Sequence, residues 1–387
     1  MSIKKVLAFT SIRSDYDLMS GLYKRIASDR GIALGLIVSG AHLSDTYGYT
    51  VQYIENDKLP ILAKIESLID SNSPAARIKS AAILMQCCIH SIESFKPDLI
   101  IYAGDREDAL IAAMAGAYLK IPSIHFFGGD HATDGNVDNP VRHAISKLSS
   151  LHFVSNALHV ERLKKIGEPE RRIFNIGSPA LDKYVTEPVM QKKDLLKRFN
   201  RTKWQNYAVV IFHPILGEED KAGMYFEEIL EVLKELNINA FVSYPNIDAG
   251  NKQIVKVIEK FAKNQHYVFY KNMERSAFIN LMRHALFLIG NSSAGILEAP
   301  IIPLGVVNVG SRQKGRHATD NVIFVGESRN QIKKGIETVL SNKFKIILKN
   351  VQSPYGNGKS IDKAYCLIKR LDIKSYKYKI EDPLYNE

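Results

Sequence analysis

Acidic side chains gather at two places in this chain. Asp105 and Arg106 follow the apolar run 99–102, and Asp130, His131, Asp134 and Asp138 crowd the loop 127–138, FGGDHATDGNVD. Three carboxylates so close together supply general acid and base groups, or oxygen ligands for a hard cation. The order of the residues and the missing terminal Glu exclude an EF-hand. Each acidic group also has a plainer account: Asp105 could cap a helix, and the loop could be a polar surface excursion. Asp138 precedes a helix start, where the positive dipole end favours an ionised carboxylate. A different chemistry is offered by Gly290-Asn291-Ser292-Ser293, between the apolar run 287–289 and the short helical stretch 294–299. A strand that feeds a Ser-rich turn at a helix start leaves N–H groups for a phosphate. Arg312, Lys314 and Arg316 follow the next strand. An ordinary βαβ unit with a solvated basic loop is the other reading. His213, ahead of Pro214 at a strand end, is either a ligand contact or a strand-terminal histidine.

The elements that must position these residues follow from period and punctuation. Apolar runs at 6–9, 32–38, 99–102, 124–127, 151–154 and 173–176 read as buried strands, with amphipathic helices at 18–26, 75–94 and 108–119 between them. Asn139 and Pro140 predict a helix with Asn139 as N-cap and Pro140 at its first position. The scheme repeats with strands at 207–212, 240–244, 267–270, 287–289 and 306–309 and helices at 226–236, 253–264, 278–284, 331–340 and 360–371. Alternating strands and helices predict parallel, doubly wound sheets with ligands at the carboxyl ends of the strands. The expected fold is α/β, two Rossmann-like domains facing a cleft. The tail to Glu387 is polar and, on its own pattern, packs poorly.

Bulk properties narrow the class. The chain has 387 residues, a length that favours two domains. No apolar run reaches the roughly 18–20 residues of a membrane helix, and the start, MSIKKVLAFTS, has no signal-peptide pattern. Cys87, Cys88 and Cys366 have no disulfide or metal spacing, and the expected compartment is the cytoplasm. The net charge of +11 is spread over many helix faces, with no arginine-rich arm, so neither nucleic acid nor a membrane is expected as a partner. No G-x-G-x-x-G or G-x-S-x-G occurs, which argues against a nicotinamide carrier and an α/β-hydrolase. Residues 354–360, PYGNGKS, mimic the end of a Walker A but have Ser353 where its first Gly belongs; a turn that starts the last helix is the simpler account.

Taken in order, these segments resemble the UDP-N-acetylglucosamine 2-epimerase family, and more closely its hydrolysing branch. SIRSDY at 11–16 resembles the family's GTRADY, GDRED at 104–108 its GDR[FE]E, and VDNPVRHAISKLSSLHFV at 137–154 its IDDxIRHAITKLSHLHFV. IGSPALD at 176–182 is similar to VGSPxLD, and GNSSAGILEAP, GSRQKGR and PYGNGKS have counterparts in the same order. The match runs nearly end to end, and GNSSxGxxEA followed by RQxGR is its specific part.

The resemblance implies the GT-B arrangement. It divides the chain into an N-terminal domain at 1–183, a UDP-binding domain at 184–357, and a C-terminal helix and tail at 358–387 that return to the first domain. It puts Ser292 and Ser293 on the diphosphate and Glu298 on the ribose hydroxyls. Arg13, Arg106, His143, Asn246 and Arg312 belong among the substrate contacts, with His213 near the uridine diphosphate and counted with the catalytic groups. Asp105 and Asp138 match the acidic residues assigned to the chemistry. The implied substrate is a UDP-2-acetamido sugar, with a 4-hydroxyl or a 4-acetamido-6-deoxy group. The implied reaction eliminates UDP and hydrates the glycal with inversion at C2, without metal or cofactor, in a homodimer or homotetramer. A GT-B glycosyltransferase and a non-hydrolysing epimerase are the alternatives. The chain departs from the family at HFFGGD, 125–130, where many hydrolysing members read HIEGGE. The first Glu falls on Phe127 and the second is shortened to Asp130. Asp130 or Asp134 is expected to take over the lost proton role.

Overall fold

The computed structural model describes residues 3–71, 73–131, 137–246, 249–271 and 273–383. The first half runs β1 (Lys4–Thr10), α1 (Arg13–Ala27), β2 (Ile32–Ser39), α2 (Val51–Asn56), β3 (Ile61–Ile65), α3 (Pro74–Phe95), β4 (Leu99–Ala103), α4 (Glu107–Tyr118), β5 (Ser123–Phe126), α5 (Asp138–Leu148), β6 (Leu151–Val154), α6 (Ala157–Lys165) and β7 (Ile173–Asn175). After α7 (Asp182–Thr186) and α8 (Lys192–Arg198), the second half runs β8 (Tyr207–Ile211), α9 (Ala222–Glu235), β9 (Asn239–Ser243), α10 (Asn251–Phe261), β10 (Tyr267–Tyr270), α11 (Arg275–His284), β11 (Leu288–Gly290), α12 (Ala294–Leu297), β12 (Val306–Val309), β13 (Val322–Val325), α13 (Arg329–Leu340), α14 (Asn342–Asn350) and α15 (Ser360–Arg370).

These strands form two parallel sheets, in the orders β3-β2-β1-β4-β5-β6-β7 and β10-β9-β8-β11-β12-β13. Both are α/β sheets of the doubly wound kind that the sequence predicts. Central strands are apolar on both faces because helices cover both: Val6, Leu7 and Ala8 of β1 and Ala208, Val209 and Val210 of β8 are fully buried. Strand order reverses between β1 and β4 and again between β8 and β11. Doubly wound sheets present ligand groups at such reversals, and the loops that carry Arg13, Asp105, His213 and Ser292 all leave these four strands. Two edge strands, β3 and β13, are absent from the sequence reading. Their exposed positions, such as Lys64 and Phe324, blur the apolar run on which a strand is recognised.

Contacts divide the chain into two units. Among the described residues, the first holds those up to 130, those from 137 to 183 and those from 354 onward, and the second holds those from 184 to 353 together with 131. Within the first unit, α15 buries Ala364, Tyr365 and Ile368 in the same apolar cluster as Met19, Leu22 and Tyr23 of α1. Roughly 1.5–3 kcal/mol accrues for each large side chain buried this way. Asp182 starts α15 by accepting from the N–H groups of Ser360 and Ile361 at 3.0 and 2.7 Å, while the Ser178 N–H donates to the Tyr355 carbonyl at 2.6 Å. The segments IGSPALD and PYGNGKS therefore hold each other and start a helix.

The polar tail is better anchored than its pattern predicts. Arg172 is fully buried and donates to the carbonyls of Tyr376 and Tyr378 and to Glu381, at 3.1, 2.6 and 2.7 Å. Lys379 pairs with the buried Glu168, which also meets His152 at 2.7 Å. The partners of the tail lie about 200 residues upstream, beyond the reach of any local pattern. Among the described residues, no helix is long and apolar enough to cross a membrane.

Candidate active site

In the first unit, one buried cation organises the acidic residues. Arg142, on α5, is 7% exposed; its Nη2 donates to Asp105 Oδ2, and its Nη1 lies 3.7 Å from Asp130 Oδ2. The remaining oxygen of Asp130 lies 3.4 Å from His159 Nε2. Asp105, Arg142, Asp130 and His159 thus form one chain of alternating charge and hydrogen bonding. Burial lowers the His159 pKa, although Asp130 pulls it back up, so the imidazole tends to stay neutral beside the carboxylate. Arg142 holds two carboxylates close together and offsets their repulsion.

The local backbone explains why these groups meet. Gly104 takes a left-handed φ of +85°, so the chain turns sharply after β4 and delivers Asp105 at the strand end. The cap of α4 is Arg106, whose side chain makes no capping bond. The helix-capping account of Asp105 is therefore set aside: its carboxylate goes to Arg142. Gly129 is also left-handed, at +77°, and a Cβ there would run into the carbonyl of His159. Phe127 adopts φ +65°, which is uncommon for a bulky residue, and its ring packs against the apolar cluster under β5 and β6. Asp138 is the first residue of α5, with Val137 as the cap. The predicted Asn139 cap is thus displaced by two residues, and Pro140 stands third in the helix, where its missing N–H has no intrahelical partner to lose. His143 lies on the same helix, half-buried. Asp134 falls outside the described residues.

Arg13 and Arg106 lie on neighbouring turns of the first unit. Arg13 stacks over the Tyr53 ring at 4.7 Å and lies 3.5 Å from Asp17. Arg106 is half-exposed, 4.0 Å from Asp108. Asp15 shapes the turn between them. It accepts from the N–H groups of Ser11 and Ile12 at 3.0 and 3.3 Å and from the Thr10 hydroxyl. Burial and the nearby Asp15 push the Asp108 pKa up.

The second unit closes its strand ends mainly with neutral groups. Gly290, at φ +133°, lies so close to Ile211 that a Cβ would clash with its carbonyl. The fully buried Asn291 then locks onto the end of β8: its Oδ1 accepts from the His213 N–H and its Nδ2 donates to the His213 carbonyl, both at 2.8 Å. Arg312 and Gln313 donate to the Asn291 carbonyl at 3.2 and 3.0 Å. His213 Nδ1 accepts from the Asn246 N–H at 3.1 Å, which leaves the proton on Nε2. Burial, reinforced by Arg312, lowers the His213 pKa to about 3. His213 is thus a neutral N–H donor.

After the turn, α12 is a single helical turn, so its dipole adds little. Its entry matters more. Among the described residues, nothing in the chain accepts from the N–H groups of Ser292 and Ser293, while Ser292 Oγ takes the Ala294 N–H at 3.3 Å. Two donors and two hydroxyls are therefore open to an anion. Glu298 sits close by, accepting from the Tyr184 hydroxyl and lying 3.4 Å from Arg275.

Arg142, His159, Asn291, Tyr184 and Arg275 receive no role in the sequence reading. Arg142 carried a usable signal: it stands four residues after Asp138 on one helix, and so on the same face. Asn291 sits inside the turn already singled out. The other three meet their partners only through the fold.

Two Rossmann-like sheets, one ending in a carboxylate–arginine cluster and the other in a turn with open N–H groups, define the class of α/β proteins with GT-B-type architecture. Comparison with known proteins carries this to a family. Residues 24–369 match the model of UDP-N-acetylglucosamine 2-epimerase, and the chain belongs to that family. It is similar to a UDP-N,N'-diacetylbacillosamine 2-epimerase (hydrolyzing) of Legionella pneumophila, 34% identical over 96% of this chain and 97% of that one. A GDP/UDP-N,N'-diacetylbacillosamine 2-epimerase (hydrolyzing) of Campylobacter jejuni is 32% identical over 89% of this chain and 90% of its own length. In fold it is similar to the crystal structure of UDP-GlcNAc 2-epimerase from Neisseria meningitidis bound to UDP-GlcNAc, with a TM-score of 0.82 over 95% of this chain and all of that one, at 17% identity.

Proposed function

We propose that this protein is a hydrolysing UDP-sugar 2-epimerase whose substrate is a UDP-linked 2,4-diacetamido-6-deoxy sugar. The observation that carries the reading is the 34% identity, over 96% of the chain, to an enzyme named for that reaction. The site chemistry supports it. Elimination removes the C2 proton as the C1–O bond to UDP breaks, giving the glycal and free UDP. Water then adds across the double bond, its oxygen to C1 and a proton to the opposite face of C2. The sum consumes one water and releases UDP and a sugar inverted at C2.

Such a path needs a carboxylate that stays ionised, a second proton-handling group, and donors on the leaving phosphate. Asp105, paired with Arg142, suits the ionised role. Asp130, between Arg142 and His159, is a replacement for the carboxylate that many hydrolysing members carry at position 127. Asp138, at the start of α5, is the third candidate. For the leaving UDP, the open N–H groups of Ser292 and Ser293 and the His213 Nε2–H are the donors, with Arg312 the nearest cation. Arg13, Arg106, His143 and Asn246 complete the proposed substrate contacts, and Glu298 the proposed ribose contact.

The test is NMR in deuterated water with UDP-N-acetylglucosamine and with its 2,4-diacetamido-6-deoxy analogue. Free UDP and a manno-configured sugar with deuterium at C2 are expected, faster from the analogue. A product still linked to UDP, or hydrogen retained at C2, would overturn the reading.

A further inference from the structure

The imidazole of His125 lies at the centre of β5 and is fully buried. Its Nε2 lies 2.8 Å from the Gly104 carbonyl and its Nδ1 3.0 Å from Ser146 Oγ. A carbonyl only accepts, so Nε2 carries the proton. Nδ1 of a neutral ring then accepts from the Ser146 hydroxyl. Gly104 is the left-handed residue directly before Asp105, and Ser146 lies on α5, the helix of Arg142 and Asp138. A third segment touches the same pair. A Cβ on Gly128 would come 3.0 Å from His125 Nδ1 and 3.1 Å from Ser146 Oγ, so the turn leading to Asp130 is also seated on it.

We propose that His125 is a positioning residue for the epimerase reaction: one neutral imidazole that fixes the Asp105 turn, α5 and the Gly128–Asp130 turn to one another. It touches no substrate. Its effect passes through the Gly104 carbonyl, whose orientation sets where Asp105 leaves the strand. Misplacing a catalytic group by about 1 Å can cost on the order of 100-fold in rate. Burial holds the His125 pKa at about 3, so the latch keeps one protonation state at physiological pH. His152, His143 and Glu168 act on the ring through their charge, and their effects are smaller than that of burial.

The inference rests on the proposed function, and its test separates the two. His125→Gln keeps a donor at the Nε2 position, His125→Asn keeps a polar group only at the Nδ1 position, and His125→Phe keeps the ring alone. UDP release by wild-type protein tests the function itself. On that background, kcat is expected to fall roughly 100-fold in His125→Phe and His125→Asn and less than about 10-fold in His125→Gln. KM and the UDP dissociation constant should stay within about twofold, since UDP is assigned to the other unit. A merely structural histidine would lower thermal stability in all three variants without ranking kcat by which nitrogen is preserved. Equal kcat in folded His125→Phe and wild type, or no recovery in His125→Gln over His125→Asn, would overturn the proposal. Should His125→Phe not fold, the Gln and Asn pair decides it. A crystal structure of His125→Asn gives a readout free of activity: Asp105 is expected to move away from Arg142, and an unmoved carboxylate contradicts the latch.

Discussion

The two units end their sheets in opposite kinds of chemistry. At β4, β5 and α5 the first unit gathers formal charge, with Asp105 and Asp130 on a buried Arg142 and a histidine beside them. At β8 and β11 the second unit gathers mostly neutral donors: a histidine without charge, an amide closed on the backbone, two open N–H groups and two serine hydroxyls, with Arg312 as the cation behind them. Charged carboxylates can accept and return protons. Neutral donors can hold a diphosphate without moving one. Under the proposed function, proton transfer belongs to the first unit and UDP binding to the second.

The largest effect that would break this assignment comes from Asp105→Asn. Loss of the ionised group should lower turnover roughly 1,000-fold, within the range for removing an acid–base group. A steady-state assay of UDP release measures it, and a drop below tenfold would move the proton role elsewhere. Arg142→Met comes next. It leaves two nearby carboxylates without their shared cation, and unfolding in urea should show a loss of roughly 2–3 kcal/mol, less than for a fully buried pair because Asp105 is partly exposed. An unchanged midpoint would mean that the cluster is held by other groups.

In the second unit, Asn291→Leu should weaken UDP about tenfold in a calorimetric titration, because the ends of β8 and β11 lose their two shared hydrogen bonds. Unaltered affinity would show that the turn holds its shape without them. At neutral pH the smallest effect is the one carried by His213, which shows only on acidification. The folded pKa of His213, about 3, lies below the unfolded value near 6.5, so the unfolded chain binds the extra proton between these limits. Stability is full above pH 6.5 and falls toward pH 3, by about 1.4 kcal/mol per pH unit for this group. His213→Gln should flatten that slope in thermal melts, and an equally steep slope would argue that the imidazole titrates in the fold as it does in the unfolded chain.

The fold is legible in the sequence because parallel, doubly wound sheets write their strands as unbroken apolar runs, visible at Val6–Phe9 and again before His213. Asp105 at a strand end, Asp138 at a helix start and the Ser292–Ser293 turn are legible as positions because glycines and strand ends mark them. Legibility stops where a group depends on a distant partner. Arg142 looks like one more helix charge until Asp105 and Asp130 are brought to it. His159 is an unremarked helix residue until Gly129 packs against its carbonyl. The polar tail looks loose until the buried Arg172 receives it.

The measurement that tests this division most directly is a UDP titration of Asp105→Asn beside Asn291→Leu, each compared with wild type. The account predicts wild-type affinity, within about twofold, in Asp105→Asn and about tenfold weaker binding in Asn291→Leu. Weak binding in Asp105→Asn with full affinity in Asn291→Leu would contradict it.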